Sequence, residues 1–189
     1  MRLILVRHGE AAWPEGWVEA DVGLTERGRR QAEAAGRELA RRFATEAPTG
    51  VWSSPMRRAR ETAEALAQAL GGAPVSVDAG LGGLADPELK RKLSEDAVDA
   101  TLLAHVAGLQ ERAWAAVSRL VEQAAPDATV VVAGHDVTIA AVLCRALSMP
   151  VEHFRRWRID LASLSVLDFR PQRIRLALLN ETCHVEGLG

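Results

Sequence analysis

Two aliphatic runs constrain this chain more than any other feature. Leu3-Ile4-Leu5-Val6 and Val130-Val131-Val132-Ala133 contain no polar residue and no alternation. Runs of this kind are buried on both faces, which is the condition of a strand inside a parallel sheet covered by helices. Each run stops abruptly at polar residues: Arg7-His8-Gly9-Glu10 after the first, Gly134-His135-Asp136 after the second. A shorter run, Val51-Trp52, stops in the same way at Ser53-Ser54-Pro55-Met56-Arg57-Arg58.

Helical periodicity fills the intervals. Thr25 reads as an N-cap with Glu26 in the first turn. Its helix runs to about Ala44, places Ala32, Ala35, Leu39 and Phe43 near one face, and breaks at Pro48-Thr49-Gly50. Ser54 reads as the cap of a second helix with Pro55 at its first position; that helix stops at Gly71-Gly72. Val75-Ser76-Val77 has the look of a short edge strand, and residues 79–98 of a Gly-rich turn followed by a short helix from Pro87. A long helix spans about Ala100 to Ala124, and an apolar helix follows Asp136 as far as Leu147. Two strand-like runs, about 160–169 and 173–179, close the chain.

This alternation predicts a three-layer α/β/α sandwich with a mainly parallel central sheet. With 189 residues, no internal repeat and no low-complexity linker, the expectation is a single domain over 1–189. Composition serves mainly to exclude. A net charge of −2 offers no global basic excess for nucleic acid. Cys144 and Cys183 are too few for a disulfide framework, so a reducing, cytoplasmic setting is expected. No apolar run approaches the roughly 20 residues of a membrane span, and Leu3–Val6 is shorter than the apolar core of a secretory signal. No membrane partner is expected. The oligomeric state stays open, a dimer included.

Ligands of open α/β sheets gather at the C-terminal ends of the strands. If the three polar segments share that edge, two imidazoles and at least two guanidiniums converge on one volume. Such a cluster calls for an anion, and phosphate suits it because guanidinium forks match its oxygens bidentately.

The ordered set LVRHGE at 5–10, GLTERGRRQA at 23–32, SSPMRRARETA at 53–63, AGHD at 133–136 and LNETCH at 179–184 resembles the histidine phosphatase superfamily, also called phosphoglycerate mutase-like. The resemblance extends over nearly the whole chain and implies that family's fold. It implies that His8 is the nucleophile and becomes a phosphohistidine, that Arg7 and Arg58 grip the phosphate oxygens, and that His135 stabilises charge on the transferring group. Glu10, Thr25 and Gly134 join them as candidate substrate-binding positions. A nucleophilic imidazole must be neutral, and neighbouring Arg charges lower its pKa. Its other nitrogen should be held by a carbonyl or carboxylate. Such chemistry needs no metal and no cofactor, only a small phosphorylated substrate.

Two departures stand out. Ala11 follows Glu10, and Pro14 stands about where many members carry a phosphate-contacting Asn. Gly83, in Leu81-Gly82-Gly83, falls where many members carry a general-acid Glu. Losing a proton donor costs roughly 10²–10⁴ in rate on an alkyl phosphate. Asp136 resembles the acid of the family's His-Asp pair and is favoured over Glu88 and Asp86. A site with no strong acid, restricted to good leaving groups, is the remaining option. The favoured activity is a phosphohydrolase. A mutase-type phosphotransferase and a weakly catalytic phospho-ligand-binding module stay as alternatives. The short 79–99 segment favours hydrolysis, since a mutase must exclude water. Trp13 and Trp17 read as packing of the long loop, Cys144 as a buried helix thiol, and His184 as a structural hydrogen bond at least as readily as a site residue.

Overall fold

A computed structural model describes residues 1–13, 21–95 and 98–188. Pro14 and Trp17 lie outside the described residues. Six strands form one sheet: β1 (Arg2–Arg7), β2 (Gly50–Ser53), β3 (Val75–Val77), β4 (Thr129–Gly134), β5 (Leu164–Arg170) and β6 (Arg173–Glu181). Their order is β3-β2-β4-β1-β5-β6. The β3–β2, β2–β4 and β4–β1 pairs are parallel, while β5 and β6 complete the sheet antiparallel.

The aliphatic runs work as their composition requires. In β1, Leu3 and Leu5 pack with Val130 and Val132 of β4 against α4 (Ala100–Gln123) and α5 (Asp136–Ala146). Ile4 and Val6 point the other way, with Val51, Val131 and Ala133, against α1 (Glu26–Arg42) and α2 (Arg57–Ala69). Strand period two thus divides each run between two cores. The expected three-layer sandwich is present, with a short α3 (Pro87–Ser94) after β3.

Register positions the site. Val6 and Ser53 both stand opposite Ala133 across parallel pairs, so β1, β2 and β4 end level. His8, Ser54 and His135 each lie one or two residues beyond that row.

Two expectations are corrected. The second helix begins at Arg57 with Met56 as its cap residue, not at Ser54-Pro55; the Ser54 hydroxyl accepts from the Met56 amide at 3.2 Å just before the helix and also meets His135. The strand expected from 160 begins at Leu164. Residues 160–163 instead form a turn, with Ala162 at φ +56° and the Asn180 carboxamide bonded to the Asp160 backbone and carboxylate at 2.6 and 2.8 Å.

Candidate active site

His8 is 6% exposed, and its two nitrogens have separate tasks. Nδ1 donates to the Gly9 carbonyl at 2.7 Å, which fixes the tautomer. Nε2 therefore holds a lone pair, and Arg58 Nε donates to it at 3.1 Å. Burial, reinforced by the Arg58 and Arg7 charges, pushes the imidazole down to about 4, against the pull of the Gly9 bond. The ring is neutral at pH 7. An NMR titration of His8 in the ligand-free protein is expected to show its midpoint near 4 and no protonation step at the ordinary 6.5.

The loop bearing His8 is held by close backbone approach. A Cβ on Gly9 would strike the Gly28 carbonyl at the start of α1, and a Cβ on Gly28 would strike the Glu10 carbonyl. Gly9 N–H also donates to Thr62 Oγ1 at 3.2 Å, tying the loop to α2. From the opposite side the Ala162 amide donates to the Arg7 carbonyl at 3.1 Å. His184 supports that turn: Nε2 meets the Ala162 carbonyl at 3.0 Å and Nδ1 meets Glu181 at 3.1 Å, so its place is structural.

His135 caps α5 at the end of β4 and is 3% exposed. Arg58 Nη2 donates to its Nδ1 at 3.4 Å, so the ring proton sits on Nε2 and is donated to Ser54 Oγ at 2.8 Å. Burial first, then the neighbouring His8 ring and the Arg58, Arg7 and Lys90 charges, hold this imidazole well below its ordinary range. The His8 and His135 ring centres are 5.3 Å apart at 63°. One guanidinium thus bridges two neutral imidazoles.

Arg7 Nη1 donates to the Ile159 carbonyl at 2.6 Å, and Nη2 pairs with Asp136 Oδ2 at 3.1 Å. Its buried Nε has no hydrogen-bond partner among the described residues. Asp136 Oδ1 accepts from the Val137 amide at 2.8 Å, and the side chain is 47% exposed.

These groups open onto a cavity of about 300 Å³ lined by Arg7, His8, Arg58, His135 and Asp136, together with Trp13, Leu84, Lys90, Leu93, Ser94 and Val137. Arg7, His8, Arg58, His135 and Asp136 are thereby brought together. Glu10 and Thr25 are not among the lining residues. Glu10 accepts from Thr25 Oγ1 at 2.7 Å and pairs with Arg27 at 3.1 Å, while Thr25 caps α1 through the Gly28 amide at 2.9 Å. Gly134 supplies a carbonyl that accepts from the His8 amide at 3.0 Å. Asp86 caps α3 through Glu88 N and Leu89 N, and neither Asp86 nor Glu88 lines this cavity.

Three contributors were not legible as such. Ser54 reads as a helix cap in the sequence, and a serine before a proline carries no mark of a tertiary partner. Trp13 reads as loop packing in the sequence; its ring lies 4.8 Å from the Arg58 guanidinium and 5.0 Å from Lys90 Nζ, a cation–π arrangement. Lys90 was not singled out at all, because its position depends on how α3 folds back over the sheet edge.

Gly83 now has a physical reason. A Cβ there would meet His135 Cγ at 2.7 Å and Cδ2 at 2.8 Å. The space of a side chain at this position is filled by the imidazole. Gly83→Ala is expected to displace His135 and lower kcat/KM by about 10²-fold, the cost of an ångström-scale misplacement. Thermal unfolding should show only the modest destabilisation of overpacking, about 1–3 kcal/mol.

Known proteins resemble this chain in sequence and fold. The profile of the histidine phosphatase superfamily (branch 1) matches residues 3–182. The chain is 30% identical to phosphoserine phosphatase 1 of Hydrogenobacter thermophilus, over 98% of this chain and 94% of that protein. It is 30% identical to an acid phosphatase of Mycobacterium tuberculosis, over 100% and 96%. Mycobacterial glucosyl-3-phosphoglycerate phosphatase, solved with inorganic phosphate, superposes with a TM-score of 0.74 at 28% identity, covering 97% of this chain and 98% of that one. The family match over residues 3–182 and the relatives covered nearly end to end show that this chain belongs to the histidine phosphatase superfamily.

Proposed function

We propose that this chain, acting as one catalytic domain over 1–189, hydrolyses phosphate monoesters in two steps through His8. The observation that carries the reading is the neutral His8 ring with its Nε2 lone pair on the cavity side of a fixed tautomer, shared with the Arg58 guanidinium at 3.1 Å. The phosphoryl group takes the place of that hydrogen bond. Arg58 moves its donors to the phosphoryl oxygens, and Arg7 Nε supplies another. His8 Nε2 attacks phosphorus, an N–P bond forms and the ester P–O bond breaks. Water then attacks the phosphohistidine, the N–P bond breaks, and inorganic phosphate leaves. Stabilisation comes from cations set in advance in a largely buried site.

Asp136 is the proton donor in this scheme. It is the one carboxylate among the described residues lining the cavity. Its Oδ2 pairs with Arg7 Nη2 at 3.1 Å. In general-acid catalysis this carboxyl acts in its protonated form, beside the bound phosphoryl group. It gives that proton to the leaving oxygen and recovers one from the attacking water.

Hydrolysis is favoured over phosphotransfer because Asp136 is half exposed and water reaches it. Glu10 and Thr25 act by positioning the loop on α1 and do not touch substrate. The substrate class is a small phosphorylated organic molecule, consistent with the relatives' phosphoserine and glucosyl-3-phosphoglycerate.

Phosphate release from p-nitrophenyl phosphate and from alkyl phosphates tests the reading, and a chelator is expected to leave the rate unchanged. Asp136→Asn should cost about 10²–10³ on an alkyl phosphate and far less on the nitrophenyl ester, whose leaving group needs no proton. Equal losses on both would remove Asp136 from the acid role.

A further inference from the structure

The His135 ring is held on three sides, and each contact constrains its protons. A Cβ on Gly83 would lie 2.7 Å from its Cγ, so the ring stands directly against that backbone. Ser54, fully buried, accepts from His135 Nε2–H at 2.8 Å and from the Met56 amide at 3.2 Å. A hydroxyl oxygen has two lone pairs, and these two donors use both. The Nε2 proton therefore has neither a further acceptor nor water to leave to. Nδ1, on the Arg58 side, carries a lone pair that accepts from Nη2 at 3.4 Å. Once the Arg58 fork turns onto phosphoryl oxygens, that lone pair faces an oxygen that is itself an acceptor. Two acceptors opposed in a buried site repel each other unless a proton lies between them.

We propose that the site takes its phosphoryl ligand together with one proton, shared between His135 Nδ1 and a phosphoryl oxygen, so that the monoprotonated ester is the preferred form of substrate. Ser54 is the positioning residue that imposes this choice, acting through His135. The inference rests on the phosphatase reading and names the charge state of its substrate. A monoanion carries the proton in on a phosphoryl oxygen and donates it to Nδ1. A dianion must draw one from water, and the bound state then holds the same atoms and the same charge. In the free protein burial keeps this ring neutral. Around it stand His8 and Arg7 from the end of β1, Arg58 from α2, Lys90 from α3 and Asp136 from α5. An imidazolium among those cations is unfavourable until the phosphoryl group supplies negative charge.

The test needs no turnover. Binding of methylphosphonate, which is not hydrolysed, is measured by calorimetry on the full chain above the ligand's second ionisation, in buffers of different ionisation heat, so that protons taken up are counted. The count is made on Asp136→Asn, which removes the cavity's carboxylate as a second proton acceptor. Uptake of one proton is expected, with a dissociation constant that rises about tenfold per pH unit. Ser54→Ala in the same background leaves Nε2 without its acceptor. The ring then carries its proton on Nδ1 and donates it with no uptake, so the count falls toward zero and the pH slope flattens. A merely structural loss would weaken binding equally at every pH and keep the count. A nitrogen NMR spectrum of the complex should show protons on both His135 nitrogens or a shared proton at Nδ1. The count in Asp136→Asn and the spectrum decide the matter even if the Ser54 variant does not fold. No uptake in Asp136→Asn, an unchanged count in folded Ser54→Ala, or the proton on His8 instead overturns the inference while the phosphate site stands. No binding of methylphosphonate by the native protein overturns the phosphatase reading, and this inference with it.

Discussion

His8→Ala is expected to lower kcat for phosphate ester hydrolysis by about five to six orders of magnitude, the scale seen when a covalent nucleophile is removed. His135, the other imidazole among the described lining residues, also carries a lone pair that accepts from Arg58, so the variant tests which of the two rings attacks. His135 Nδ1 is turned toward Arg58 Nη2 and its Nε2–H is committed to Ser54. The variant should still bind phosphate, because Arg7, Arg58 and His135 remain. Phosphate binding by calorimetry together with initial rates therefore separates loss of chemistry from loss of the site. Binding without turnover is the expected pair of results. A variant retaining a tenth of native kcat would show that His8 carries no bond to phosphorus.

Arg58→Ala has the second-largest expected effect, a loss of about 10³–10⁴ in kcat/KM, comparable to removing an arginine from a phosphoryl-transfer site. Its guanidinium serves both histidines, at 3.1 and 3.4 Å, and packs against Trp13. Removing it leaves His135 Nδ1 without its donor and takes a positive charge from beside His8. The His8 pKa should then rise from about 4, because Arg58 is one of the charges that lowers it, while burial still holds it below its ordinary value. Arg58→Lys should recover little. A lysine is a point charge on a flexible stem and cannot place two fixed donors on two rings. Full recovery in the lysine variant would mean that charge alone, and not the fork, matters here.

The parts of the site legible in the sequence are those fixed by strand ends. Arg7, His8 and His135 follow fully apolar runs, and a parallel register leaves few places where the next residues can go. Arg58 was legible because it opens the helix after the third such segment. The fold followed from the same logic, since period two within β1 and β4 dictates helices on both faces.

What escaped depends on contacts distant along the chain. Ser54 accepts from the nearby Met56 amide as its sequence position suggests, and its oxygen also accepts from His135, 81 residues away. Trp13 and Lys90 reach the cavity from a loop and from α3, and no local pattern fixes where those segments dock. The departure at Gly83 was visible as a missing acid, but its cause was not: the His135 imidazole occupies the space a side chain would need. The 160–163 turn escaped because Ala162 adopts a left-handed conformation that Ala rarely takes. The turn is held by the Asn180 carboxamide, which meets Asp160 from β6.

The stereochemical course at phosphorus tests the two-step scheme most directly. An ester made chiral at phosphorus with oxygen isotopes is cleaved in the presence of an acceptor alcohol, and the configuration of the transferred phosphoryl group is determined. Attack by His8 followed by attack of the acceptor inverts the centre twice, so net retention is the expected result. Net inversion would mean direct displacement with no phosphohistidine, and would contradict the role given to His8.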